Sequence, residues 1–76
     1  MIKLGDLKLG EEAIIDSFLD TDISLKLMEM GCLPGEKICV ERRAPLGDPI
    51  AISVSGYLLS VREEEANSIL VNTKEL

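Results

Sequence analysis

The sequence predicts a mainly β domain, a small barrel of about five antiparallel strands with two short helices. Between residues 37 and 61, apolar and polar side chains alternate in short runs, which is the period of half-buried strands. Proline and glycine interrupt these runs at the spacing of tight turns. Short strands joined by tight turns favour a bent sheet that closes on itself and hides its edges.

The N-terminal segment, residues 1–11, is expected to pack on the core as a lead-in to the first strand. Its apolar anchors are Ile2, Leu4, Leu7 and Leu9. Residues 12–19 form the first strand candidate, in which the β-branched Ile14 and Ile15 favour an extended backbone. Because the two isoleucines are adjacent, alternation does not decide which of them faces the core.

A helix is expected after this strand, and its N-cap candidates are Asp20, Thr21 and Asp22. Its apolar stripe recurs at helical spacing and consists of Ile23, Leu27 and Met30, widened by Leu25 and Met28. Gly31 can take the left-handed conformation that ends a helix. Pro34-Gly35 then predicts a type II turn that reverses the chain into Glu36.

A meander of three antiparallel strands is predicted next. Residues 37–44 alternate except at Arg42, and a loop with two prolines around Gly47 ends this strand. The second strand starts at Pro49, and one of its faces carries Ile50, Ile52 and Val54. Gly56 permits a tight hairpin into a third strand, one face of which carries Tyr57, Leu59 and Val61.

The acidic run at residues 63–65 is typical of the first turn of a short helix, where the helix dipole favours negative charge. Ala66 and Ile69 are expected on one face of that helix. A short closing strand at residues 70–73 follows, and residues 74–76 are expected to fray.

The chain of 76 residues is expected to form a single domain over residues 1–76. It contains no apolar run near the roughly 20 residues that span a bilayer, and its first residues lack the apolar block of a signal peptide. A cytoplasmic location without membrane insertion is therefore expected.

The charge and the aromatic content argue against two binding functions. A formal net charge of −6 repels nucleic-acid phosphates, and one Phe and one Tyr provide no platform for stacked bases. SH3 domains that bind proline-rich peptides use a barrel of this kind, but they line their groove with aromatic residues. This chain offers only Tyr57 and Phe18. Neither a nucleic acid nor a proline-rich peptide is therefore expected as a ligand.

Cys32 and Cys39 are weak candidates for metal ligands. Their separation matches no zinc spacing, and without histidine a four-ligand site would have to recruit carboxylates. No resident metal and no cofactor are therefore predicted, and both cysteines are expected to be buried or half-buried thiols. The chain also lacks a phosphate loop and a nucleophile with a histidine base, which predicts that it is not an enzyme.

Four segments together resemble the ferrous iron transport protein A (FeoA) family. They are LMEMGCLPG at residues 27–35, RAPLGDP at 43–49, SGYLLSVR at 55–62, and EA at 65–66 followed by ILV at 69–71. Each segment alone is an unspecific turn or strand signal, so their order and spacing carry the resemblance. Cys32 departs from the pattern, since the family more often has an aliphatic residue after the glycine.

The resemblance implies an SH3-like barrel in the bacterial cytosol that assists the ferrous iron transporter FeoB, a membrane protein with a cytosolic GTP-binding domain. It implies an accessory or regulatory protein that docks on the GTP-binding domain or the membrane part of FeoB by protein–protein contact. It does not imply a carrier of iron. Weak homo-oligomerisation is compatible with such a module.

A docking module without an active site depends on a few apolar anchors. The candidates are Leu46 in the proline loop, Leu58 on the outer face of the hairpin and Met28 beside the helix stripe. Each has an alternative, because Leu46 could fold under its loop, Leu58 could be covered by the N-terminal segment and Met28 could belong to the core. The acidic helix start at residues 63–65 and the Arg42-Arg43 pair are expected to add electrostatic steering, with a binding rate that falls as salt rises.

Two alternative functions stay open. The chain could be a free-standing relative of the SH3-like domain of iron-dependent transcriptional repressors, although no DNA-binding helix-turn-helix is expected in residues 1–76. It could also be a metal-binding chaperone that uses Cys32, Cys39 and carboxylates. A metal titration of a cysteine-free variant tests the chaperone hypothesis.

Overall fold

The computed structural model describes residues 1–73 of the chain. Within them the backbone forms an antiparallel sheet of six strands, two α-helices and a short 3-10 helix over Leu4–Asp6. The strands are β1 (Ile2–Lys3), β2 (Glu12–Phe18), β3 (Lys37–Arg43), β4 (Ile50–Val54), β5 (Tyr57–Val61) and β6 (Ile69–Asn72), and the helices are α1 (Thr21–Glu29) and α2 (Glu63–Ala66). The predicted class, mainly β with two short helices, is confirmed, whereas the predicted fraying at residues 74–76 lies outside the described residues.

The strand order in the sheet is β1-β6-β2-β3-β4-β5, and all neighbours are antiparallel. The last strand, β6, lies between β1 and β2, so that Val71 is opposite both Ile2 and Ile15. The sequence predicts about five strands because β1 has only two residues, which is too short to show alternation.

The core lies on one face of this sheet, where alternate strand residues meet the two helices and the N-terminal segment. Its buried apolar side chains are Leu4, Leu7, Ala13, Ile15, Leu27, Cys32, Ile38, Val40, Ile50, Ile52, Val54, Val61, Ala66, Ile69 and Val71. Of the two adjacent isoleucines, Ile15 is buried and Ile14 is half-buried. The prediction that Ile2 and Leu9 anchor the N-terminal segment is wrong, since both side chains are exposed.

Helix α1 begins and ends as its sequence predicts. The Asp20 carboxylate is the N-cap that is used, accepting a hydrogen bond of 3.0 Å from the Ile23 N–H. At the other end Gly31 has φ +96° and donates to the Met28 carbonyl, while the Cys32 N–H donates to the Leu27 carbonyl. These two bonds form a Schellman motif, which places the Cys32 side chain in the core.

The three-strand meander is confirmed, with one irregularity that the pattern anticipates. The β3–β4 register shifts between Val40 and Arg42, so an extra residue bulges from β3. This bulge explains why Arg42, which breaks the alternation, is exposed. The β4–β5 hairpin turns through Ser55 and Gly56, which both have positive φ as a type I′ turn requires.

Helix α2 starts at Glu63 as predicted but is shorter than expected. It ends at Ala66, and Ile69 belongs to β6, where it lies opposite Phe18. The two residues therefore do not share a helical face, although both are buried. The Asp48 carboxylate accepts a hydrogen bond of 3.0 Å from the Glu63 N–H and so joins the proline loop to α2.

No helix within residues 1–73 is both long enough and apolar enough to cross a bilayer.

Candidate partner-docking surface

The three predicted partner-binding residues differ in exposure. Leu46 is 94% exposed in the loop between β3 and β4, and Leu58 is 58% exposed on β5. Met28 is half-buried on α1. Leu46 is thus not folded under its loop, and Leu58 is not covered by the N-terminal segment. The partner-binding role of all three stays a prediction.

Met28 and Leu58 lie on different faces of the sheet. Leu58 lies opposite Ser53 on the outer face of the sheet, whereas α1 with Met28 packs on the core face. Leu46 belongs to the loop before Ile50, at the far end of β4 from the β4–β5 turn. The three steps along β4 from Ser53 to Ile50 span about 10 Å.

A different set of apolar side chains lies on α1, directly after it, or on the hairpin residue that contacts its end. We call it the helix-end surface and define it as Leu25, Met28, Leu33 and Tyr57. Leu25 and Met28 are three residues apart and neighbour each other on the helix. Leu33 follows the turn that ends α1, and its N–H donates to the Gly31 carbonyl over 3.0 Å. Leu25, Leu33 and Tyr57 are each exposed, so this surface is apolar and accessible.

Tyr57 connects the β4–β5 hairpin to the end of α1. Its position opposite Val54 directs the ring toward the core face, and its hydroxyl donates to the carbonyl of Met30, the C-cap of α1. The close approach requires glycine at position 31, because a Cβ there would collide with the Tyr57 hydroxyl. The ring is therefore held in place while 44% of the residue stays exposed, which suits an aromatic anchor.

The two adjacent arginines of β3 have different surroundings. The Arg43 guanidinium donates from Nη2 to the carbonyls of Gly5 and Leu7, over 3.1 and 2.8 Å. Arg43 thus fixes the N-terminal turn, and its part in electrostatic steering stays a prediction. Arg42 is exposed beside the bulge, where its charge faces solvent.

The outer face next to Leu58 is a row of cross-strand neighbours. Glu12 lies opposite Cys39, Cys39 opposite Ser53, and Ser53 opposite Leu58. The Glu12 carboxylate also lies 3.4 Å from the Lys37 ammonium. The neighbour of Leu58 on β4 is thus the short side chain of Ser53. The charged side chains of Glu12 and Lys37 lie farther along the row.

Cys32 and Cys39 lie on opposite sides of the sheet. Cys32 is buried in the core, whereas the Cys39 sulfur lies 3.6 Å from the Gly10 carbonyl oxygen on the outer face. Burial raises the pKa of the Cys32 thiol. Partial burial, and then the charge and hydrogen bond of Glu41, raise the pKa of Cys39. Within residues 1–73 no three His, Cys, Asp or Glu side chains are grouped as metal ligands, so these cysteines gain no joint site.

Sequence reasoning missed most of the helix-end surface. Alternation assigns Tyr57 correctly to the core-facing side of β5, but it does not reveal that β5 is an edge strand and leaves the ring exposed. Leu25 continues the apolar stripe of α1 yet points away from the core. The position of Leu33, between a helix-ending motif and a proline turn, was the one available signal of an outward side chain.

Comparison with known proteins identifies a similar protein in which two proteins are fused in one polypeptide. An Fe(2+) transport protein A/Fe(2+) transporter FeoB fusion protein from Porphyromonas gingivalis is 34% identical over 71 residues. The match covers 92% of this chain and 8% of the fusion protein. This chain therefore corresponds to a small part of that protein.

Two solved structures resemble this chain over nearly its whole length. The NMR structure of an FeoA-like protein from Clostridium acetobutylicum has a TM-score of 0.89 at 35% identity, covering 96% of this chain and 86% of that one. FeoA from Stenotrophomonas maltophilia, crystallised with zinc and described as a prokaryotic SH3 domain protein, has a TM-score of 0.82 at 26% identity. That match covers 95% of this chain and 91% of that one, and it confirms the expected SH3-like fold.

The same fold also occurs in a transcriptional regulator. A manganese-dependent transcriptional repressor has a TM-score of 0.83 at 14% identity, over 93% of this chain and 40% of the repressor. At this identity the likeness concerns the fold alone.

The family comparison agrees with the four sequence segments. The FeoA domain model matches residues 2–73, so it includes the N-terminal strand as well as the segments from residue 27 onward. Taken with the fusion protein at 34% identity, this match shows that the chain belongs to the FeoA family.

Proposed function

We propose that this chain is an accessory protein of bacterial ferrous iron uptake that docks on FeoB from the cytosolic side. The observation that carries this proposal is the fusion protein of Porphyromonas gingivalis, in which a region 34% identical to this chain shares one polypeptide with FeoB. When two modules are fused, each is held at a high effective concentration near the other. Such an arrangement benefits modules that act together. An FeoA domain that acts on FeoB needs a surface that binds it.

The helix-end surface suits this role. Tyr57 and Leu33 both present exposed apolar area, and the hydrogen bond to the Met30 carbonyl fixes the tyrosine ring before any partner arrives. A side chain that is already ordered loses little entropy on binding. Small interfaces draw most of their binding energy from a few such anchors. Leu46 and Leu58 remain candidates for contacts outside this surface.

The proposed mode of action is binding and not catalysis. Both thiols are unpaired, which is compatible with the reducing cytosol, and their raised pKa values disfavour the reactive thiolate. The fold offers FeoB a rigid surface, and a change in FeoB activity would follow from differential binding to its conformations.

An NMR titration tests this proposal. The 76-residue chain, labelled with ¹⁵N, is titrated with the cytosolic GTP-binding part of FeoB from the same organism. Separate titrations contain no nucleotide, GDP or a non-hydrolysable GTP analogue. We expect localised chemical-shift changes that include Leu33 and Tyr57, with an affinity that depends on the nucleotide.

Two further samples make the result decisive. Full-length FeoB in nanodiscs replaces the GTP-binding part, which tests docking on the membrane part. Leu33→Asp is compared with Leu19→Asp, because both leucines are exposed and Leu19 lies beyond the opposite end of α1. Absence of shifts with both FeoB samples would refute docking. Equal weakening by both variants would refute the helix-end surface as the binding site.

A further inference from the structure

The two edge strands of the sheet are protected very differently. The order β1-β6-β2-β3-β4-β5 leaves β1 and β5 at the edges. Strand β1 has two residues, one of which is Lys3, whereas β5 has five residues, Tyr57–Val61, and none is charged. Proteins usually keep exposed edges short, or interrupt them with charge, proline or a bulge, to prevent pairing with another chain. Strand β5 has none of these features.

The hairpin geometry shows which backbone groups of β5 point outward. The turn has two residues, Ser55 and Gly56, so Val54 and Tyr57 form a hydrogen-bonded pair. Hydrogen-bonded pairs alternate along an antiparallel ladder, so Leu59 and Val61 also bond to β4. The N–H and C=O groups of Leu58 and Ser60 therefore point away from the sheet. Within residues 1–73 no backbone group bonds to them from that side.

We propose that β5 is an interaction edge that pairs antiparallel with β5 of a second copy of this chain. The pairing places Leu59 opposite Leu59 on the two-fold axis and Leu58 opposite Ser60 of the second copy. In this register all four outward groups of each copy are used, because Leu58 and Ser60 form the hydrogen-bonded pairs. The two six-stranded sheets then become continuous.

The side chains of β5 complement themselves in this register. Tyr57 lies opposite Val61, and the exposed Leu58 lies opposite the small Ser60, so no like charges meet. Leu59 faces the core but is only half-buried, because within residues 1–73 no strand lies on the outer side of β5. A second strand would cover the exposed part of Leu59 in both copies.

The residues that flank β5 add charge complementarity. Arg62 follows the strand and comes opposite Gly56 of the second copy. Next to that glycine, Ser55 donates its hydroxyl to the Glu36 carboxylate over 2.7 Å. The two-fold axis thus brings Arg62 of each copy toward Glu36 of the other, a favourable pairing that occurs twice. This complementarity favours a second copy over an unrelated strand.

The dimer should be weak and salt-dependent. A five-residue strand pair buries less than the roughly 1,200 Å² of a stable interface. Two chains of net charge −6 also repel each other, and salt screens this repulsion. Salt also weakens the two exposed Arg62–Glu36 pairs, but such pairs contribute little, so we expect association to strengthen as NaCl rises from about 20 to about 300 mM.

Sedimentation equilibrium of the isolated chain, from about 10 µM to about 2 mM, tests the proposal because dimerisation depends on concentration. Ser60→Pro removes an N–H that β4 does not use, so the fold is retained and the edge is blocked. The loss of two symmetry-related hydrogen bonds is expected to raise the dissociation constant at least tenfold, to about 100-fold at most. Ser60→Ala keeps the N–H and should dimerise like the wild type.

A second variant covers the possibility that Ser60→Pro does not fold. Leu58→Lys places a lysine on an exposed edge, where it opposes strand pairing without touching the core. It should raise the dissociation constant by a similar factor. A wild-type chain that is monomeric at all concentrations overturns the proposal, as does a dimer that both variants leave unchanged. The proposal does not depend on docking to FeoB.

Discussion

The ammonium nitrogen of Lys26 on α1 lies 2.6 Å from Oε2 of Glu65 on α2, a pair 39 residues apart in the chain. The other carboxylate oxygen, Oε1, accepts a hydrogen bond of 2.9 Å from the Arg62 N–H at the start of α2. Glu65 is buried although it is charged, while Lys26 is exposed. One carboxylate therefore joins the two helices and satisfies a free N–H at a helix start.

Replacing Glu65 with Gln is expected to lower the free energy of unfolding by about 1–2 kcal/mol at neutral pH, because the charge-assisted bond to Lys26 becomes a neutral one. Urea unfolding followed by circular dichroism measures the change. Glu64→Gln is the control, since Glu64 is exposed in the same helical turn. It should stay within about 0.5 kcal/mol of the wild type. Equal losses in the two variants would contradict this account.

The same carboxylate makes stability depend on pH. Hydrogen bonds from Lys26 and the Arg62 N–H hold the pKa of Glu65 below its ordinary value of 4.5, against the effect of burial. A carboxyl whose pKa is lowered by folding stabilises the fold above its unfolded pKa and loses that contribution as pH falls through its folded pKa. The difference between wild type and Glu65→Gln should thus be full near about pH 6 and shrink below pH 4.5. A difference that stays constant down to about pH 3 would refute this assignment.

Gly31→Ala is expected to destabilise the fold by more than Gly35→Ala. Both glycines have φ above +90°, so both variants carry the same backbone strain of about 1 kcal/mol. At position 31 the new methyl group also meets the Tyr57 hydroxyl, whereas at position 35 it meets no atom within 4 Å. Thermal unfolding compares the two variants. Adding Tyr57→Phe should recover part of the Gly31→Ala loss and none of the Gly35→Ala loss.

Arg43→Ala is expected to cost about 2 kcal/mol of stability, because two backbone carbonyls lose a charged donor. Amide hydrogen exchange should locate the effect in the N-terminal turn around Leu7, whose carbonyl accepts the shorter bond. Arg42→Ala is the control, since Arg42 is exposed and should change stability little. If exchange around Leu7 stays slow in Arg43→Ala, the guanidinium does not fix that turn.

Leu46→Asp combined with Leu58→Asp is expected to weaken FeoB binding while the fold is kept, because both side chains are exposed. Isothermal titration calorimetry with FeoB gives the affinity, and an NMR spectrum of each variant verifies the fold. Measuring each single variant separates the contributions of the two residues. Unchanged binding in the double variant would remove these residues from the docking surface.

The sequence predicted local structure correctly at positions where the residue type restricts the backbone to few conformations. Gly31 and the Pro34-Gly35 pair predicted the helix end and the turn, because positive φ and a fixed proline φ leave few alternatives. Alternation predicted β4 in full, with Ile50, Ile52 and Val54 buried. It failed for Ile2 and Leu9, because an apolar side chain near a chain end has no periodic context that reports its burial.

The strands of the meander, the end of α1 and the family can thus be predicted from the amino-acid sequence, since each depends on residues close together in the chain. The neighbours of each strand become visible in the folded chain, which shows that β5 is an edge and that Tyr57 lies over the end of α1. The folded chain also shows that Lys26 meets Glu65. Such pairings depend on how the sheet bends around one shared core, and contacts between distant residues leave no periodic trace in the sequence.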